Sequence, residues 1–234
     1  MDLTPPVMPA AERGPRARMR RIMLDAAMRL MQDGLVPSIT DVAEAAQVSR
    51  ATAYRYFQTQ SVLIQAAVDE ALGPILRWSS SSENAEQRVG ELIRFSYPRM
   101  HDFEVPLRAA LRLALDQWAQ IRAGKLDAED AMVRGHRIAL LSAAVAPLQR
   151  KLGKVRTERL TQALSLVFGT EAFVVLKDIC GLDPAEAEEV ALWTCHALVR
   201  CAAEDLAPPV RRRRNTSGNG DRAAAGTRRR ARAR

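Results

Sequence analysis

Three observations predict an all-α fold for this 234-residue chain. Apolar residues recur at steps of three and four through most of it, the period of one helical face. Runs of β-branched residues bounded by Asn-Gly or Asp-Gly turns are absent, which argues against a sheet. Apolar residues reach 47% while aromatics are only 5%, so the core material is Leu, Ala, Val and Met, residues that suit helix-on-helix packing. A chain of this length can bury a substantial core.

The first stretch, 16–33, carries Met19, Ile22, Met23, Ala26, Ala27, Leu30 and Met31 on one face, and Gly34 is placed to end it. Arg16, Arg18, Arg20 and Arg21 crowd its start. Residues 38–57, SITDVAEAAQVSRATAYRYF, then read as two short helices joined by a tight corner. Ser38 can cap the first, with Asp41 completing a capping box, and Val42, Ala45 and Ala46 form its apolar face. The turn falls near Gln47-Val48, and Ser49 can cap the second helix. That helix offers Arg50, Thr52, Tyr54, Arg55 and Tyr56 within about two turns, with Ala51 and Ala53 small enough to allow close approach. Guanidinium and hydroxyl donors on a slim helix are what a major groove accepts, so a helix-turn-helix is expected, with double-stranded DNA as its partner. Ser38, Thr40 and Ser49 are expected near the phosphate backbone. A fourth helix is predicted from about Thr59, burying Val62, Leu63, Ala66 and Ala67, and ending or kinking at Gly73-Pro74.

On these residues the segment 16–77 resembles the N-terminal DNA-binding domain of the TetR/AcrR family of transcriptional regulators. The likeness is carried by the apolar first helix, the small-residue hairpin, the run from Val48 to Phe57, and Leu63. The resemblance implies a three-helix head whose third helix enters the major groove, and a helical body that dimerises and receives a small-molecule effector. It also implies a homodimer on a palindromic operator, with the last two long helices forming a four-helix interface. Two positions depart from the family: Gln47 stands where a turn glycine is usual, and Gln60 where a lysine is usual. Gln60 is still expected to reach a phosphate, without releasing a counterion.

Five further helical stretches follow a loop at 79–84. Val89, Leu92, Ile93, Tyr97 and Met100 mark one; Leu107, Leu111, Ala114, Trp118 and Ile121 mark the next. A third is predicted over 128–152, and a fourth, apolar on most sides, over 157–180. The last opens on Asp183-Pro184-Ala185-Glu186, a cap followed by proline at the first helical position, and runs to about Glu204. The domain reading is a short N-terminal arm (1–15), the head (16–77), a ligand-binding and dimerisation body (85–206), and a tail (207–234). Within the body, Phe95, Tyr97, Met100, Trp118 and Phe173 are candidates to line a cavity for an apolar or aromatic ligand, although residues at helical spacing are more often core. Glu171, set in an apolar run, needs a partner, and His136 or Arg137 can supply it; these three are the polar candidates for the same site. Gly169 most simply permits a close helix approach.

The basic charge belongs to the tail. From Ala207 onward there are ten arginines and one aspartate, leaving 25 basic against 26 acidic residues elsewhere. Such a low-complexity segment reads as disordered, and attracts phosphate backbones or simply solubilises. An architectural, nucleoid-type DNA binder dominated by this tail, with no effector, is the alternative reading. Cys180, Cys195 and Cys201 are odd in number and sit in helical patterns, so reduced thiols in a cytoplasmic, nucleoid-associated protein are expected. No signal-like start or span of membrane length is seen. No cofactor or metal is expected, because His101, His136 and His196 lack second ligands at metal spacing. Catalysis is not expected either: Cys195 and His196 are helix neighbours whose side chains diverge by about 100°, and no phosphate loop or nucleophile elbow occurs.

Overall fold

The computed structural model describes residues 14–132 and 135–204. The expected arm up to residue 13 and the Arg-rich tail lie outside the described residues. Among the described residues all regular structure is helical. In order these are α1 (Pro15–Gln32), α2 (Ile39–Ala45), α3 (Arg50–Tyr56), α4 (Gln60–Leu76), α5 (Ala85–Asp102), α6 (Glu104–Arg122) and α7 (His136–Val145). A short α8 (Gln149–Leu152), α9 (Lys154–Leu164), α10 (Thr170–Phe173) and α11 (Pro184–Glu204) complete the chain. None of the described helices is long and apolar enough to cross a membrane.

The head is α1 to α3 with the N-terminal half of α4. Its core is Met23, Ala26, Ala27 and Met31 of α1, Val42 and Ala43 of α2, Ala53 and Phe57 around α3, and Leu63, Ile64 and Ala67 of α4. The small residues matter because they let short helices cross at close range. Ala45 and Ile22, placed on apolar faces by periodicity, are exposed, while Ala43 and Leu24 are buried in their stead. Val62 is likewise exposed, since it sits on the outward side of the first turn of α4.

Helix α4 does not stop at Gly73-Pro74 as its sequence suggests, but runs on to Leu76. A proline costs one ladder donor and crowds the residue before it. Here that residue is glycine, which has no Cβ to clash. The frayed end is supported from α5, where Arg99 Nε donates to the Ala71 carbonyl at 2.5 Å and its guanidinium lies over Phe103. One unbroken helix therefore starts in the head and ends in the body.

In the body, α5 packs along α11 and against α7, with Val89, Leu92, Ile93 and Tyr97 buried between them. The helix expected over 128–152 is broken: a 3-10 turn at Ala128–Asp130 precedes α7, and a second at Ala146–Leu148, around Pro147, separates α7 from α8. The helix expected over 157–180 is also broken. After α9 the chain turns, and α10 begins only at Thr170, passing into wide π-type turns over Val174–Ile179. The break is tertiary in origin. Gly169 has φ of 145°, a backbone region that favours glycine, and a Cβ there would lie 2.4 Å from the Arg137 guanidinium carbon. Arg137 donates to the Ser165 carbonyl (3.2 Å), an acceptor that a continuous helix would have satisfied from residue 169, and pairs with Glu171 Oε2 (2.5 Å). Gly169 thus makes room for a guanidinium rather than for another helix. The π-type turns carry Lys177 and Asp178 towards α6, where Lys177 pairs with Glu104 and Asp178 is held in a two-point pair by Arg108 (2.6 and 2.7 Å). Burial works to raise the Glu104 carboxyl, but Lys177 and Arg108 outweigh it and hold it below its ordinary value.

Candidate nucleic-acid interface and body cavity

Local chemistry positions α3. Ser38 Oγ accepts from Asp41 N (3.2 Å) while Asp41 Oδ2 accepts from Ser38 N (2.8 Å), a complete capping box that starts α2. The same hydrogen bonds hold the Asp41 carboxyl below its usual value. The corner is made by Gln47 at φ of 55°, the non-glycine residue with positive φ among the described residues. Ser49 Oγ then accepts from Thr52 N (3.1 Å) and lies 2.9 Å from Thr52 Oγ1, starting α3. Ala53 and Phe57 anchor the inner side of α3 in the head core.

The outer side of α3 is what the anchoring leaves free for a partner. Arg50, Ala51, Tyr54 and Arg55 are exposed, and Thr52 and Tyr56 are half-buried. The Arg16 guanidinium stands 5.9 Å from the Tyr56 ring centre and that of Arg20 5.6 Å from Phe57, so the start of α1 adds cations beside α3. Ser38 and Thr40 lie at the N-terminal end of α2 and Ser49 at that of α3. Gln60 is placed differently from the expectation: its side-chain amide donates to the Val36 and Pro37 carbonyls (3.2 and 3.1 Å), tying α4 to the loop before α2. Those two bonds hold the start of α4 against the loop before α2.

The body holds a half-open cavity of about 100 Å³ among α4, α5, α6, α7 and the segment around the start of α10. Its walls are apolar, formed among others by Leu72, Ile75, Met100, Leu107 and Leu140, and one end carries Gln65, His136, Arg137 and Thr170. Of the eight candidates from sequence, Met100, His136 and Arg137 come together here. Tyr97 and Phe173 do not line it; they meet edge-on at 5.1 Å, with Tyr97 Oη donating to the Val167 carbonyl (2.7 Å). Glu171 stands behind the wall as the partner of Arg137. Phe95 and Trp118 point outward, the latter 65% exposed. Sequence reading missed the α4 residues Gln65 and Asp69. His136 Nε2 lies 2.8 Å from Asp69 Oδ1, and Gln65 Nε2 donates to the same oxygen at 2.7 Å. The Asp69 hydrogen bond raises the His136 pKa above its ordinary value, against the opposing effect of burial. Only their spacing of four along α4 hinted at a shared face.

Comparison with known proteins places the likeness mainly in the head. Residues 23–67 match the family model for bacterial regulatory proteins of the tetR family. Over 58 residues the chain is 41% identical to the HTH-type transcriptional repressor LfrR of Mycolicibacterium smegmatis (strain ATCC 700084 / mc(2)155). That similarity spans 25% of this chain and 31% of the relative, less than a third of its length. A crystal structure from Mesorhizobium loti MAFF303099 assigned to the TetR family aligns with 81% of this chain and 98% of its own, at 16% identity and a TM-score of 0.48. A TetR transcriptional regulator from Rhodococcus sp. RHA1 aligns with 80% and 97%, with the same identity and score.

Proposed function

We propose, from the premise that this chain belongs to the TetR family of transcriptional regulators through its DNA-binding head, that it is a homodimeric repressor released from a palindromic operator by a small-molecule effector. The observation that carries this reading is the presentation of α3: anchored by Ala53 and Phe57, capped by Ser49, and turned so that Arg50, Tyr54 and Arg55 face outward. In the major groove the guanidinium groups pair with guanine edges or phosphates, while Thr52 and Tyr56 contact the backbone. The alanine at 51 keeps the helix slim enough to seat.

Dimerisation is supported by apolar surface on the last elements. Val190 and Trp193 of α11, with Val175 and Ile179 of the turn before it, are exposed, Trp193 by 72% and Ile179 by 75%. A two-fold pairing there buries them and presents two heads to half-sites one helical turn apart, about 34–36 Å. The route from effector to DNA is α4, whose Leu63 and Ile64 belong to the head core while Leu72 and Ile75 wall the cavity. Filling the cavity alters the tilt of α4 and hence the spacing of the heads, and a coupling of about 1–3 kcal/mol is enough for a useful switch.

The test is selection of DNA fragments by the purified full-length chain, followed by affinity measurements on the recovered site. A palindrome is expected, and Arg50→Ala should weaken it by about 1–3 kcal/mol without altering helicity or the dimer. Recovery of unrelated fragments, or equal affinity of the variant, overturns the reading.

A further inference from the structure

The effector's chemical class is readable from the cavity, an inference that rests on the function proposed above. His136 and Arg137 are the ionisable side chains in the wall among the described residues, and both are cationic or able to become so. Neither partner carboxylate, Asp69 or Glu171, contributes to the wall. Helix α7 also begins here, and its N-cap, Gly135, has no side chain to accept from the first amides. The helix dipole therefore adds positive potential to that of the two side chains. Every other wall is aliphatic, aromatic or thioether, apart from Gln65 and Thr170.

We propose that the cavity takes an amphipathic monocarboxylate, its apolar body between α4 and α6 and its carboxylate on His136 and Arg137 at the start of α7. Both cations are already paired, His136 with Asp69 and Arg137 with Glu171, so a ligand carboxylate binds by competing with those carboxylates, which an uncharged or cationic head group cannot do. Size makes the binding consequential. An engineered apolar cavity of about 150 Å³ admits benzene, and this one holds about 100 Å³. A longer acid either extends through the open side of the pocket or parts α4 from α7. What ties those helices at this point is the Asp69–His136 pair with Gln65 on the same oxygen. The incoming carboxylate takes the place of Asp69 on the imidazolium, and repulsion between the two carboxylates then pushes α4 away. Asp69 is thus a competitor built into the helix that leads to the reading head.

Calorimetric titration of the full chain at about pH 6, without DNA, distinguishes the classes using octanoate, 1-octanol and octyltrimethylammonium as probes of one chain length. Octanoate should bind about tenfold more tightly than octanol, the size of a charge-assisted hydrogen bond, and the ammonium probe most weakly. Arg137→Gln should remove the preference for acid over alcohol. Asp69→Asn should tighten octanoate binding by removing its rival, and this variant keeps the Arg137 guanidinium in the wall should the first fail to fold. Equal binding of the three probes, a preference for the alcohol or ammonium, or no binding by folded protein overturns the proposal. Because no DNA is present, such a failure leaves the operator selection untouched, and a failed selection leaves this result standing.

Discussion

The head and the body are both helical, yet they are held by different kinds of interaction. In the head, each short helix is begun by a residue next to it in sequence: Ser38 with Asp41, Ser49 with Thr52, Thr59 with Val62. In the body, the decisive bonds join residues far apart. Arg137 reaches Glu171 across 34 positions, Arg108 reaches Asp178 across 70, and Gln65 and Asp69 meet His136 some 70 positions on. Short-range caps fix where each of these helices begins with signals that lie within a few residues of it. Long-range polar pairs make a geometry that depends on how distant segments pack.

This contrast can be broken at several points. Phe57→Ala should have the largest effect, about 3–5 kcal/mol of stability in chemical denaturation, because the ring is 2% exposed in the head core. Trp118→Ala, at an exposed body position, should be close to neutral; similar losses for the two would mean that the head has no core of its own. Gln47→Gly should act in the opposite sense. With φ at 55° the glutamine sits where side chains are disfavoured, and relief should raise stability by about 1 kcal/mol. No gain would indicate that the Gln47 side chain compensates for its own strain.

The smallest effect concerns pH. His136 has a raised folded-state pKa, with Asp69 and Gln65 of α4 against it, Arg137 beside it on α7 and Thr170 across the cavity. Its contribution is fully present below the unfolded-state value near 6.5 and is lost as pH rises through the raised folded value. Melting temperature should therefore fall over that window by an amount reflecting about 1 kcal/mol or less, and Asp69→Asn should flatten the profile. An identical slope in the variant would remove His136 as its source.

The head was legible because its signals are local. Ser38, Asp41 and Ser49 announce their caps by spacing alone, and the outward positions of Arg50, Tyr54 and Arg55 follow from the helical period once Ala53 and Phe57 face the core. Even there the bonds of Gln60 to the Val36 and Pro37 carbonyls were not legible, because those partners lie more than twenty residues back. In the body, periodicity located the apolar faces of α5, α6 and α11 but not the breaks. Nothing near Gly169 in sequence says that a guanidinium from residue 137 will occupy the space beside it.

By itself, then, the order of residues determined the helical class, the capped α3 and the face it presents, since hydrogen bonds and periods of three to four residues act along the chain. Only the tertiary structure decided where α9 stops and α10 resumes, that α4 passes through its proline, and which side chains wall the cavity. Those outcomes depend on charges and carbonyls brought together from distant segments, and desolvated charges accept only the partners that the packing delivers.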